Sequence, residues 1–409
     1  MAYFLILLSC AQFILRSMML QETPLYAFLN PYVLLLPLLL IWLGDYCLRH
    51  RTQDKNLLVG LMVVAAIQVF VLPAYSRSPN FMALYLKSIQ YFWGPAILLP
   101  CLLGLLRLWP AERNPMGTAR TYICGLAGIV AAVTIFERIA VNLFGISPFS
   151  LPWIAPERYL DSIDINPFRP WGVSIYPQVN ALMLALLFWL SYLYRARGLL
   201  HRLALLFALG ISFGGTGILA FVALLPLNVR RPILGLAVSG IIAGSLVAAT
   251  MLTFQHNTSG ILEKLDVNYA LAMASQVSRV AGSYFRQLSA DDVMFGSQTV
   301  TQYSAVGITH DWGYFDVFYA YGVIGLVGYV LLYGILIYLA CPREAGSLRR
   351  FYFVSVVLAM NFHYGALNYY LGQFLFSTLA ALQLQRPFMR ARNPQGRNAA
   401  IVASSGVVA

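Results

Sequence analysis

"GITHDWGYFDVFYAYG", Gly307 to Gly322, runs without a break into "VIGLVGYVLLYGILIYLA", Val323 to Ala340. The second stretch decides the fold. It carries no charge, and about 20 such residues in a helix cross about 30 Å of hydrocarbon with every backbone group satisfied internally. The first stretch raises the functional question, because it sets His310, Asp311 and Asp316 at the edge of that span.

Composition extends this reading to the whole chain. Of 409 residues, 60% are hydrophobic and 10% charged, and the mean hydropathy is +0.71; a soluble domain carries about 25% charged residues. Apolar runs of spanning length recur from end to end. The expected fold is all-α, a polytopic membrane protein of about twelve transmembrane helices. Their centres fall near residues 10, 37, 66, 94, 128, 183, 206, 221, 243, 328, 359 and 378, the seventh and eighth being short and separated only by "GISFGGTG". Residues 1–385 form one transmembrane domain and 386–409 a basic, polar tail with the composition of disorder.

Charge gives the topology, since cytoplasmic loops collect Lys and Arg. With both termini cytoplasmic, the inner segments are about 49–56, 107–120, 195–202, 229–232, 341–350 and the tail from Arg386. They hold 18 of the 27 basic residues. Only Asp45, Asp54, Glu112 and Glu344 of the 15 acids lie on that side. The net charge of +12 is thus a consequence of orientation, and no nucleic-acid partner is needed to explain it. Cys10, Cys47, Cys101, Cys124 and Cys341 lie in spans or at the inner edge with no metal-ligand spacing, so neither a disulfide nor a structural metal is expected. The N-terminal run lacks a basic n-region and a small-residue cleavage site and reads as a first anchor. No internal repeat is detectable.

Two outer loops are long, 140–172 and 254–314, and loops of that length are functional or disordered. In the second, Leu262, Leu265, Tyr269, Ala272 and Val280 recur at helical spacing and predict amphipathic helices along the membrane surface. Three basic residues outside the inner loops stand out: Lys87, about two turns inside a span, Arg169 just before one, and Arg279. A cation at membrane depth costs roughly 2.5–3.5 kcal/mol unless it snorkels or is paired. Lys87 could snorkel, and Arg169 and Arg279 could pair with Asp161, Asp164 or Asp292. The functional alternative is anion binding, because the guanidinium fork fits phosphate oxygens and stays charged. Such cations near the outer interface would suit a lipid-linked diphosphate.

His310 then has a role as a base, its unperturbed pKa of about 6.5 suiting proton transfer from a hydroxyl; a capping or hydrogen-bonded interface histidine is the alternative. On a helix starting near residue 310, His310, Tyr314, Val317 and Tyr321 share a face. Asp316 lies about 120° away, so Asp311 is the better local partner for His310. Gly322, Gly325 and Gly328 predict close helix packing. A second outer cluster, "NFHYGALNYYLGQ" at 361–373, is polar and aromatic. It is either a sugar-binding surface or an interfacial tyrosine belt, and Arg286, Asp316, Tyr314, His363 and Asn368 are candidate glycan contacts.

The order of these features, over about 165–340, resembles the O-antigen polymerase and O-antigen ligase superfamily of bacterial envelope glycosyltransferases. "RPWGVSIYPQVNALMLALLFWL" is similar to that family's Arg, Gly, Pro and Asn leading into a span, and "SFGGTGILAFVALLPL" to its next Ser/Gly-rich helices. Arg279 follows in the long loop, then "MFGSQ" where the family has Gly-x-Gly, and "THDWGYFDVFYAYGVIGLVG" where it has His-Asn and Gly-x-x-Gly. This chain departs in having Asp311 for Asn and Gly296-Ser297 without the second glycine. The resemblance implies a GT-C-type enzyme of the inner membrane with its active site facing the periplasm and with no metal or nucleotide cofactor. Its donor would be an undecaprenyl-diphosphate-linked oligosaccharide. Arg169 and Arg279, with Lys87, would hold the diphosphate, and His310 with Asp311 would activate the acceptor. Polymerase is the reading favoured by "THDWGYFDVFYAYG", with membrane lipids and a chain-length regulator protein as implied partners. Ligase to lipid A core is the near alternative. A transporter or flippase of lipid-linked sugars is the distant one, which would want charges deep in several spans and repeat symmetry.

Overall fold

The computed structural model describes residues 1–18, 41, 44, 74, 88–108, 114–154, 170–174, 176–196, 198–212, 215–227, 275, 288–296, 313–361 and 366–392. Among these the chain is helix and connecting turns, with no β-strand. In order they are α1 (Ala2–Ser9), α2 (Ala11–Met18), α3 (Gly94–Leu108), α4 (Pro115–Asn142), α5 (Pro177–Leu193), α6 (Leu199–Ser212), α7 (Gly215–Ala223), α8 (Ala290–Phe295), α9 (Gly313–Ala340), α10 (Ser347–Met360) and α11 (Tyr370–Arg392).

Local chemistry accounts for the helix ends. Proline starts α4 and α5, where its missing N–H is one that a first turn leaves unbonded anyway. Asn114 caps α4, its side-chain oxygen accepting from the Gly117 N–H at 2.9 Å. Ser289 and Asp292 close a capping box at the start of α8. Before α3 the chain makes a π turn over Ile89–Trp93. The cause is Pro95, which has no N–H to give to the carbonyl four residues back and crowds it, so the ladder slips by one residue.

Among the described residues two helices are long and apolar enough to cross a membrane, Pro115–Asn142 and Val317–Ala340, with shorter apolar helices at Tyr91–Leu106, Pro177–Leu193, Leu200–Ser212 and Gly215–Leu227. The span expected around residue 10 is divided there, α1 ending at Cys10 and α2 starting beyond it. The seventh and eighth expected spans are α6 and α7, of 14 and 9 residues. The centre expected near 359 falls at the C-terminal end of α10, because the chain turns at Asn361. α11 continues to Arg392, past the expected start of the tail at 386. The centres near 37, 66 and 243 lie outside the described residues, as does the amphipathic segment of the second long loop apart from Ser275.

α5 is the hub, buried nearly all round from Val179 to Leu190 and packed by α4, α6 and α7; a helix apolar on every face belongs in such a position. α11 packs between α3 and α9. Side chains alternate in role around α9. Tyr329, Tyr333 and Ile337 are buried inward, whereas Val323, Val327, Leu331 and Ile335 face outward with exposures of 37, 47, 53 and 56%. That i, i+4 series is a single stripe of aliphatic surface along the helix.

Candidate functional site

The described residues around the sequence-predicted site begin at the C-terminal end of α4. Glu137 is fully buried there. Both of its carboxylate oxygens accept from the backbone N–H of Gly172, at 3.1 and 3.0 Å, and one also accepts from the Trp153 indole N–H at 2.5 Å. One side chain therefore fastens two points of the connection between α4 and α5 to the bundle. Leu151, Ile154 and Trp171 pack together over the clasp, with Val141 and Trp153 at its side. Gly172 is required by conformation and by space: its φ is +60°, and a Cβ would lie 2.1 Å from the Asn180 side-chain oxygen. Asn180 is buried and donates to the Thr134 hydroxyl at 2.9 Å, tying the first turn of α5 to α4.

From this clasp an aromatic series runs across the bundle. Trp171 stacks on Tyr176 with ring centres 5.9 Å apart and planes 27° from parallel, and Tyr176 meets Tyr369 at 5.2 Å. Beside Tyr369, the Asn368 side-chain oxygen accepts from the Tyr329 hydroxyl. The same hydroxyl accepts from the Asn361 amide at 2.9 Å, and Asn361 in turn accepts from the Leu367 N–H at 3.1 Å. Gln373 donates to the Tyr333 hydroxyl and to the Leu367 carbonyl, both at 2.7 Å. Around Tyr329 stand the rings of Tyr314, Tyr91 and Phe92, 6.0, 6.3 and 6.2 Å away and near perpendicular, the edge-to-face geometry that aromatic quadrupoles favour.

Thus residues that follow Arg169, Lys87 and His310 closely in sequence, together with the 361–373 cluster, belong to one contact network. Of the predicted site residues themselves, Lys87, Arg169, Arg279, Arg286, His310, Asp311 and His363 lie outside the described residues. Asp316 lies in α9, where only its backbone is described. Tyr314 is half-buried and donates its hydroxyl to the Leu358 carbonyl at 2.5 Å; burial pushes that hydroxyl well above the usual tyrosine range, which keeps it a neutral donor. Asn368 is 7% exposed, and Asn361 and Gln373 are fully buried, so these three polar groups of the cluster bind α9 to α11 and to the connection between α10 and α11.

The "MFGSQ" stretch has a specific partner. α8 ends at Gly296, with φ +94°, and docks on α9 where that helix breaks at Gly322, with φ +66°. A Cβ on Gly322 would lie 2.3 Å from the Met294 carbonyl oxygen, and one on Gly296 would lie 2.4 Å from that of Ala320. Two backbones touch here because neither residue has a side chain.

Sequence reasoning missed Glu137, and it marked Asn180 only as the Asn of a family-like motif, with no role. The rule that singled out Lys87, an ionisable group inside an apolar helix, applies equally to Glu137 in Pro115–Asn142. Comparison of the chain with protein-family models, curated proteins and solved structures returns no match.

Proposed function

We propose that this chain is a multi-pass bacterial inner-membrane glycosyltransferase, with both termini cytoplasmic, that polymerises undecaprenyl-diphosphate-linked oligosaccharide repeat units at the periplasmic face. The observation that carries the reading is a convergence. The segments singled out in the sequence lie far apart along the chain, and their described neighbours Trp171, Tyr176, Tyr91, Tyr314 and Asn368 meet around Tyr329 and Tyr369. The outward aliphatic stripe of α9 and the two helices of spanning length support a bilayer as the surrounding medium, since soluble surfaces rarely carry large contiguous apolar patches.

In this mechanism Arg169 and Arg279, with Lys87, hold the donor diphosphate and neutralise the charge that grows on it as the bond from C1 to the phosphate oxygen breaks. The acceptor hydroxyl attacks C1 from the opposite face, forming the new C1–O bond with inversion, and its proton passes to His310, oriented by Asp311. The lipid diphosphate leaves within the bilayer. The Glu137 clasp contributes by fixing the loop that follows Arg169, since a misplaced charge loses most of its effect.

The test is a gel of surface and lipid-linked glycans from a strain lacking the gene, complemented in turn by wild type, Arg169→Ala, Arg279→Ala and His310→Ala. Lipid A core capped by a single repeat unit, restored to a ladder by wild type and by none of the variants, is the expected result. Bare core with long polymer retained on the carrier lipid would instead make the protein the ligase, and loss of secreted polymer beside an intact ladder would make it an exopolysaccharide polymerase. Wild-type glycans in the deletion strain would overturn the reading altogether.

A further inference from the structure

The arginine-rich connections do more than mark one side of a membrane. Four of their cations, Arg120, Arg195, Arg202 and Arg349, line a single cavity of about 720 Å³, with Glu344 the one acid among its described wall residues. They come from the second turn of α4, the α5–α6 turn, the start of α6 and the first turn of α10, segments that are distant in sequence and meet at one end of the bundle.

Three details separate this basin from an incidental collection of surface charge. Carbonyls in the turn that ends α5 and at the end of α9 are already engaged: Arg120 Nε donates to the Tyr194 carbonyl at 2.9 Å, Arg202 to the Ala196 carbonyl at 3.2 Å, and the Tyr194 hydroxyl to the Ala340 carbonyl. The cavity therefore keeps its positive lining, and the starts of α6 and α10 add the partial positive charge of helix N-termini. Arg202 Nε is buried without a hydrogen-bond partner among the described residues. The third detail is the backbone of Arg195. α5 closes with the Ala196 N–H bonded to the Ser191 carbonyl at 2.8 Å and the Arg195 N–H to the Tyr192 carbonyl at 3.0 Å, a pattern whose left-handed residue is ordinarily glycine. Arg195 occupies it at φ +52° and is the one non-glycine residue with positive φ among the described residues. A side chain stands where glycine would be more stable, and strain of that kind points to a use for the side chain.

We propose that this basin binds a phosphate-bearing anion of at least two negative charges, either a soluble phosphate or the headgroup of an anionic lipid, at the end of the bundle that carries the basic connections. The guanidinium forks supply paired N–H donors to phosphate oxygens, and Glu344 sets the lower limit on ligand charge by repulsion. The proposal is independent of the glycosyl-transfer reading.

The experiment uses the full chain in nanodiscs of phosphatidylcholine, titrated with inorganic pyrophosphate by calorimetry. A parallel preparation containing cardiolipin, whose two phosphodiesters carry two negative charges, is examined for retained lipid by native mass spectrometry. Saturable pyrophosphate binding identifies a soluble ligand, and retention of cardiolipin without pyrophosphate binding identifies a lipid headgroup. In either case Arg349→Gln and Arg195→Gly weaken binding about tenfold, and Glu344→Gln strengthens it. Arg195→Gly also raises the melting temperature by ~2 °C through relief of the backbone strain, which excludes misfolding as the cause of its weaker binding. Absence of both ligands, or binding that survives Arg349→Gln and Arg195→Gly unchanged, overturns the assignment.

Discussion

Glu137 grips Gly172 across 35 positions of sequence, both carboxylate oxygens accepting the same backbone N–H. With the Trp153 indole on one of those oxygens as well, one buried carboxylate holds both described ends of the loop between α4 and α5. Glu137→Ala strands two buried donors and is expected to cost about 2–4 kcal/mol. Glu137→Gln keeps one carbonyl oxygen and should lose about half as much. Thermal unfolding in detergent measures both, and equal losses, or none, would mean that the clasp does not hold the loop.

The glycines at the α8–α9 junction differ from Gly346 in a way that mutation can read. Gly346 has φ +79° with open space where a Cβ would go, so Gly346→Ala carries a conformational penalty alone, about 1–3 kcal/mol. Gly322→Ala adds a collision with the backbone of Met294 and Phe295. The expected order of melting temperatures is wild type, then Gly346→Ala, then Gly322→Ala. A Gly322→Ala protein as stable as Gly346→Ala would show that α8 is not seated on the break in α9.

Tyr329 joins two asparagines through one hydroxyl, accepting from Asn361 and donating to Asn368. Tyr329→Phe leaves both amides buried and short of a partner, at an expected cost of about 1–3 kcal/mol. In a double-mutant cycle with Asn361→Leu the losses should fall short of additive by about 0.5 kcal/mol or more. Strict additivity would separate the two residues energetically.

Cys341 is fully buried at the end of α9, and burial pushes its thiol up to about 12, opposed in small part by the Arg350 charge. The thiolate is the reactive form, and from about pH 7 to about pH 9 almost none exists at such a pKa. Maleimide should therefore leave Cys341 unmodified in the native protein across that range and label it after denaturation in SDS. Native labelling that rises with pH in that range would contradict the burial.

Periodicity and hydropathy revealed the helices around residues 128 and 328 and the shortness of the pair around 206 and 221, because apolar length is a local property of the chain. The site was legible more coarsely. The sequence drew attention to the polar 361–373 cluster without assigning it a partner, and Asn361, Asn368 and Gln373 acquired their bonds from tyrosines of α9 some 30 to 40 residues earlier. Glu137 went unnoticed although it stands in an apolar helix, because its partner Gly172 is a backbone group, and backbone groups carry no signature in composition. The i, i+4 face drawn through Tyr314, Val317 and Tyr321 holds up to the break at Gly322. No run of letters announces that break, since a glycine inside a helix is as compatible with close packing as with a turn.

The sequence by itself determined that the chain is built of apolar helices, where its basic residues concentrate, and which polar residues stand at the edges of those helices. Each of these follows from solvation of a residue and its near neighbours. Only the tertiary structure decided that Glu137 holds the Gly172 loop, that α9 breaks where α8 touches it, and that Arg120, Arg195, Arg202 and Arg349 surround one cavity. These depend on which helix ends come together, and that is settled by packing between segments far apart in the chain, where a missing side chain at Gly322 or Gly296 matters as much as any side chain present.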